Sequence, residues 1–245
     1  MERRFLAVSI VVLAVLGARP AAAQTVDLQL ILAADVSISV DDEEFRLQRE
    51  GYAAAIAHPL VLDAIRKGRH SAIAVCFVEW AGAEAQRVVV NWTVIRSEES
   101  ARGFAHGVRA APRSFTGATA IGAAIDFAMA QFALSGVESG HRIIDISGDG
   151  DNNNGRPVEY ARDDAVKAKV TINGLAIVNE HPALGFIGHI QPVGGIGEYY
   201  RTRVVGGDRS FVIVIDGFER FAEAMTRKLA TEIASANGMD RVAER

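Results

Sequence analysis

Short, almost uninterrupted apolar runs recur along this chain, and segments with helical spacing separate them. The runs cover residues 30–34, 72–78, 142–147, 170–178 and 211–215. Apolar stretches of this length, bounded by turn residues, read as strands buried on both faces. Strands that alternate with helices must cross over between parallel neighbours, and the crossing helices cover the sheet. The expected fold class is therefore α/β, a doubly wound, mostly parallel sheet with helices on both faces. Residues 87–92 (RVVVNW) form a shorter run with polar flanks, expected as one antiparallel edge strand paired to 72–78 through Ala81-Gly82. Helices are expected over 41–57, where Phe45, Tyr52 and Ile56 share a face and His58-Pro59 closes the segment, and over 97–110. Others are expected over 119–132, where Ile121, Ile125, Ala128 and Phe132 form a stripe, over 158–169, and briefly over 196–205. A last helix carries Phe218, Phe221, Ala222, Met225, Leu229 and Ile233 at helical spacing.

At 245 residues, 49% of them apolar, the chain has the size of one well-buried domain. Its start has the form of a secretory signal. Arg3 and Arg4 precede an apolar stretch from Phe5 to Leu16, and Ala21-Ala22-Ala23 offers a small-residue cleavage site before Gln24. The stretch is short of the roughly 20 residues a membrane span needs. The expected division is a signal peptide over 1–23, one domain over 24–236 and a polar tail over 237–245, with no integral membrane segment after cleavage. A periplasmic or secreted location follows. Cys76 is the sole cysteine, so the domain must hold without an internal disulfide, and its apolar surroundings mark it as a buried small residue. The net charge is −4, and loss of Glu2, Arg3, Arg4 and Arg19 takes it to −6. That balance speaks against a nucleic-acid partner.

The chemistry concentrates where apolar runs end. The first run stops at Asp35-Val36-Ser37-Ile38-Ser39, and in extended chain the Asp35, Ser37 and Ser39 side chains share a face. Converging oxygens of this kind suit a hard cation. They also suit a helix cap, and Asp41 with Glu44 has capping-box spacing, so this stretch alone leaves metal and cap evenly balanced. A second acidic ending follows residues 142–147, at Asp149. In open α/β sheets ligands gather at carboxyl ends of strands where the strand order reverses, which would bring Asp35 and Asp149 together across 114 positions of sequence.

Taken in order, Asp35-x-Ser37-x-Ser39, Thr119 in Thr-x-x-Gly122 before a helix, and Asp149-Gly150 after an apolar strand resemble a von Willebrand factor type A (vWA) domain, over nearly all of residues 26–235. The resemblance implies a vWA/Rossmann-like fold and a metal-ion-dependent adhesion site (MIDAS) built from Asp35, Ser37, Ser39, Thr119 and Asp149. It implies a divalent cation, Mg²⁺ first, with Mn²⁺ or Ca²⁺ as alternatives. Type A domains often carry Thr where this chain has Gly148, a position that is not usually a ligand. Thr116 and Thr119 lie in the same loop, and the spacing to Gly122 favours Thr119. The chain resembles most a bacterial group of exported type A-like proteins of unknown function.

Rival chemistries fit less well. The sequence Asp149-x-Asp151-x-Asn153 begins like a calcium loop, but Asn154 stands where the sixth position needs Gly and Tyr160 where the twelfth needs Glu. Ser37 replaces the second acid that a haloacid dehalogenase-type phosphatase requires, and no Walker A or dinucleotide glycine pattern occurs. His181 and His189 fit no strong zinc template. Residues 151–154 read as a solvated loop able to shape the rim of the site. The expected function is an exported metal-dependent adhesion or scaffold module that takes an Asp or Glu carboxylate of a protein partner on its cation. The alternatives are a metal-dependent hydrolase, for which no base is tied to the motif, and a structural protein with a vestigial site.

Overall fold

The computed structural model describes residues 24–179 and 192–238. The expected signal peptide, His181 and His189, and most of the polar tail lie outside them. A minor parallel pair joins β1 (Gln24–Thr25) to β5 (Val137–Glu138). The main sheet has six strands: β2 (Leu28–Asp35), β3 (Ile73–Trp80), β4 (Gln86–Ile95), β6 (Arg142–Gly148), β7 (Thr171–Val178) and β8 (Val212–Asp216). Their order is β4-β3-β2-β6-β7-β8, all parallel except the antiparallel β3–β4 pair at one edge. From β2 the chain proceeds outward to β3 and β4, then returns to lay β6, β7 and β8 on the other side. The order therefore reverses between β2 and β6, whose registered pairs include Ala34↔Ser147.

The apolar side chains along β2 alternate between two cores. Leu28, Leu30, Leu32 and Ala34 face a layer formed by α1 (Asp42–Ile56), α2 (Pro59–Arg66), α3 (Glu98–Ala110) and α7 (Phe221–Ala236). Ile31 and Ala33 face the opposite layer, formed by α4 (Ile121–Gln131), α5 (Val158–Lys167) and α6 (Ile196–Tyr199), which runs on into a π-helical turn over Tyr200–Val204. Cys76 is buried in this second layer, where burial pushes its thiol up to about 12.

Several elements differ from the sequence reading for physical reasons. His58-Pro59 ends α1 as expected, yet it also starts α2: the His58 side chain accepts from the Leu60 N–H, and Pro59 fills the first turn, where its missing N–H costs nothing. Strand β4 runs on to Ile95, kept in pairing by an irregularity opposite Val75 and Phe77. Helix α4 starts two residues later than expected, so Thr119 stays in the loop before it. On α7 Ala222 is exposed, and its buried face includes Lys228 and Glu232.

Those two charges meet Asp145 of β6. Lys228 Nζ lies 2.9 Å from Asp145 Oδ2 and 2.5 Å from Glu232 Oε1, which also accepts from Asn173 Nδ2 at 2.8 Å. All three charged side chains are fully buried. One ammonium faces two carboxyls, so the cluster favours holding an extra proton. Burial, then the charge of Asp145, pushes Glu232 up to about 7 from its ordinary 4.5. An acid raised in the folded state stabilises the fold below its unfolded value and loses that contribution as pH climbs through its folded value. The Glu232 contribution to stability should accordingly fall between pH 5 and about 7, by at most about 1.4 kcal/mol per pH unit for one proton. Urea unfolding of Glu232→Gln across this range should show that slope flattened.

Candidate metal centre

The two expected aspartates end neighbouring strands. Asp35 is the last residue of β2 and Asp149 follows β6 directly, and both are fully buried. Past Asp35 the chain turns over itself: the Ser37 N–H donates to Asp35 Oδ1 at 2.8 Å, and the Val40 N–H donates to the Ser37 carbonyl. This turn brings both serine hydroxyls inward. Ser37 Oγ lies 3.1 Å from Ser39 Oγ, and the Ser39 hydroxyl donates to Asp149 Oδ1 at 2.7 Å. Thr119 is buried, with its hydroxyl 3.3 Å from the point a Cβ on Gly150 would occupy, whereas Thr116 is exposed. Asp35, Ser37, Ser39, Thr119 and Asp149 thus gather at one edge of the sheet. The capping role falls elsewhere, since the box at the start of α1 is made by Asp41 and Glu44.

Neighbouring side chains hold this edge in shape. Gln48 Nε2 donates to the Asp35 carbonyl, and Arg113 donates to the Val40 and Asp41 carbonyls while stacking over Phe45. The asparagine run clamps the loop that carries Thr119: the Thr119 N–H donates to Asn153 Oδ1, the Asn153 N–H returns a bond to the Thr119 carbonyl, and the Gly122 N–H donates to Asn152 Oδ1. Asn154 Oδ1 accepts from the Ala83 N–H. The run is solvated as expected, with Asn153 and Asn154 exposed, and its side chains also brace the neighbouring loop.

The electrostatics are those of two carboxylates forced together. Burial, then the charge of Asp149, holds the Asp35 carboxyl well above the usual range, and the Ser37 and Arg113 contributions oppose this. Asp35 Oδ2 is buried with no hydrogen-bond partner among the described residues. A hard divalent cation suits such a set, because it relieves the repulsion and accepts carboxylate and hydroxyl oxygens alike. Among the described residues no three His, Cys, Asp or Glu side chains group as metal ligands, so the set is distinguished by hydroxyls rather than by charge.

Two participants were not read from the sequence. Asn179 follows β7 as Asp149 follows β6, and its Nδ2 donates to Asp149 Oδ2 at 3.0 Å. A polar residue directly after a third apolar run was the available signal. Glu44 also bonds to the Asn179 side chain, and burial together with the Asp41 and Asp149 charges pushes it up to about 7. An acid therefore does stand beside the motif, contrary to the sequence reading, which tied no base to it. Gly148 has a structural reason as well: a Cβ there would lie 2.8 Å from both Asp35 Oδ2 and the Tyr200 hydroxyl.

A family model described as "Protein of unknown function (DUF1194)" matches residues 25–237. The chain belongs to this family. No curated protein matches it. Solved structures extend the comparison to this family member's fold. Proximal thread matrix protein 1 from the mussel byssus matches with a TM-score of 0.58 at 13% identity, covering 85% of this chain and 48% of that one. A second structure of the mussel protein, with a zinc-occupied MIDAS motif, matches with a TM-score of 0.56 at 14% identity, covering 85% and 48%. The von Willebrand factor type A protein from Catenulispora acidiphila matches with a TM-score of 0.55 at 16% identity, covering 86% and 43%. The chain spans about half the length of these proteins or less, and the likeness shows a vWA-like fold.

The braces give a direct test. Asn153→Ala removes the acceptor of the part-buried Thr119 N–H and should lower stability by about 1 kcal/mol. Amide exchange over residues 114–120 should accelerate beyond the rest of the domain.

Proposed function

We propose that this DUF1194 protein is an exported, metal-dependent protein-binding module, with a divalent cation held by Asp35, Ser37, Ser39, Thr119 and Asp149. The observation that carries this reading is the pair of buried aspartates at adjoining strand ends, ringed by three hydroxyls. An all-oxygen set supports Mg²⁺ or Mn²⁺ ahead of softer metals. When bound, the cation offers an electron-poor position to an anionic oxygen, because only two carboxylates offset its charge.

The chain's own residues shape what can approach. Ser37 and Ser39 are held inward, while Ile38 between them is 45% exposed on the crest of the turn. An apolar side chain beside a charged site favours a protein partner that pairs an Asp or Glu carboxylate with an apolar contact over a small free anion. Among the described residues no helix is long and apolar enough to cross a membrane. Cleavage near Ala23-Gln24, with release to the periplasm or medium, is part of this proposal.

Glu44 favours a second reading. Its carboxyl shares Asn179 with Asp149, so it stands where a base could serve a metal-dependent hydrolase. The two readings separate experimentally. Mg²⁺ or Mn²⁺ should raise the melting temperature, as any ligand of the native state does, by about 2.7 kcal/mol of stability at a hundredfold excess over the dissociation constant. Asp149→Ala should abolish the shift. Partner capture from envelope extracts should be lost with chelator and with Asp35→Ala and, at unchanged metal affinity, weakened with Ile38→Ala. Metal-dependent turnover of ester or phosphoester substrates, lost in Glu44→Gln and without any metal-dependent partner, would establish the hydrolase instead.

A further inference from the structure

Two buried oxygens meet at Gly148 without a protein partner. Neither Asp35 Oδ2 nor the Tyr200 hydroxyl has a hydrogen bond among the described residues, and both residues are fully buried. Both lie 2.8 Å from the same point, the position a Cβ on Gly148 would take. They are therefore at most twice that distance apart, yet they make no direct bond. Two oxygens no farther apart than this can each bond to one water lying beside Gly148.

Tyr200 is well placed for such a role. It opens the π-helical turn Tyr200–Val204, packs in the second core with Ile196 and Val204, and meets the Tyr199 ring at 65° with centroids 6.3 Å apart. Its ring is thus fixed from outside the sheet while its hydroxyl reaches the end of β2. The other Asp35 oxygen is already held by the Ser37 N–H. A carboxylate held at one oxygen can still tilt, whereas one held at both has a single orientation. A side chain at residue 148 would meet both oxygens at 2.8 Å, so glycine there lets the hydroxyl and the carboxylate come this near.

We propose that Tyr200 is a positioning residue of this site: its hydroxyl donates to one buried water, which donates to Asp35 Oδ2 and fixes the carboxylate before the cation arrives. The inference rests on the metal-centre reading and deepens it by adding a support from an element that carries none of the five proposed ligands. Partners of this outer kind typically change metal affinity 10–100-fold when removed. Tyr200→Phe keeps the ring and its packing and deletes only the hydroxyl.

The test is calorimetric titration of the mature protein with Mn²⁺, beside apo melting curves. Tyr200→Phe should melt close to wild type without metal and bind Mn²⁺ about tenfold more weakly. Equal affinity would overturn the inference and leave the metal centre standing. A fall in affinity matched by a fall in apo melting temperature would assign Tyr200 to the core alone, and absence of Mn²⁺ binding by wild type would remove both readings. Should the variant fail to fold, a high-resolution crystal structure of wild type decides. One ordered water within hydrogen-bond distance of Tyr200 Oη and Asp35 Oδ2 supports the proposal, and a direct contact or no water there defeats it.

Discussion

Two carboxylates that would repel one another are held side by side at the ends of adjacent strands, out of water. The reversal of strand order between β2 and β6 places Asp35 and Asp149 together, and the fold could have relieved the clash by substitution or exposure. It surrounds them with donors instead: Ser37 N–H on Asp35, the Ser39 hydroxyl and the Asn179 amide on Asp149. These bonds offset part of the desolvation, and the raised Asp35 carboxyl records the part they do not. Two buried carboxyls with so little positive charge between them form a set that a divalent cation would suit.

Buried contacts tie together the elements that meet at that edge. Arg49 pairs with Glu79 in the first core and also donates to the Val108 carbonyl, while Glu79 accepts from the Ser114 N–H, so β3, α1, α3 and the loop toward Thr119 are tied at one buried point. The asparagine braces tie the same loop from the other side. A buried ion pair of this sort adds little net stability, because desolvation offsets the attraction. Its value here is geometric, since it fixes where the loop leaves the sheet. The Lys228, Asp145 and Glu232 cluster fastens α7 beneath β6 and β7 in a similar manner, away from the site.

Much of this was legible in the sequence because parallel strands buried on both faces must be apolar throughout, and functional oxygens must appear where such runs stop. That logic located Asp35, the two serines and Asp149, and the helical stripe located the loop holding Thr119. It failed where one residue serves two elements, as with Pro59, which closes α1 and opens α2. It failed also where charge is paired inside the core. Asp145 lies in a run read as apolar, and Lys228 and Glu232 lie on a buried helix face, positions whose partners come from distant parts of the chain. Asn179 and Tyr200 escaped for the same reason: their roles exist only once β7 and the turn after α6 are set beside β2 and β6.

The most direct measurement is anomalous diffraction from crystals of the mature protein equilibrated with Mn²⁺. The account predicts one strong peak enclosed by Ser37, Ser39, Thr119, Asp149 and Asp35, lost in crystals of Asp149→Ala. No peak at that edge, or a peak held by other residues while these five keep their mutual hydrogen bonds, would contradict it.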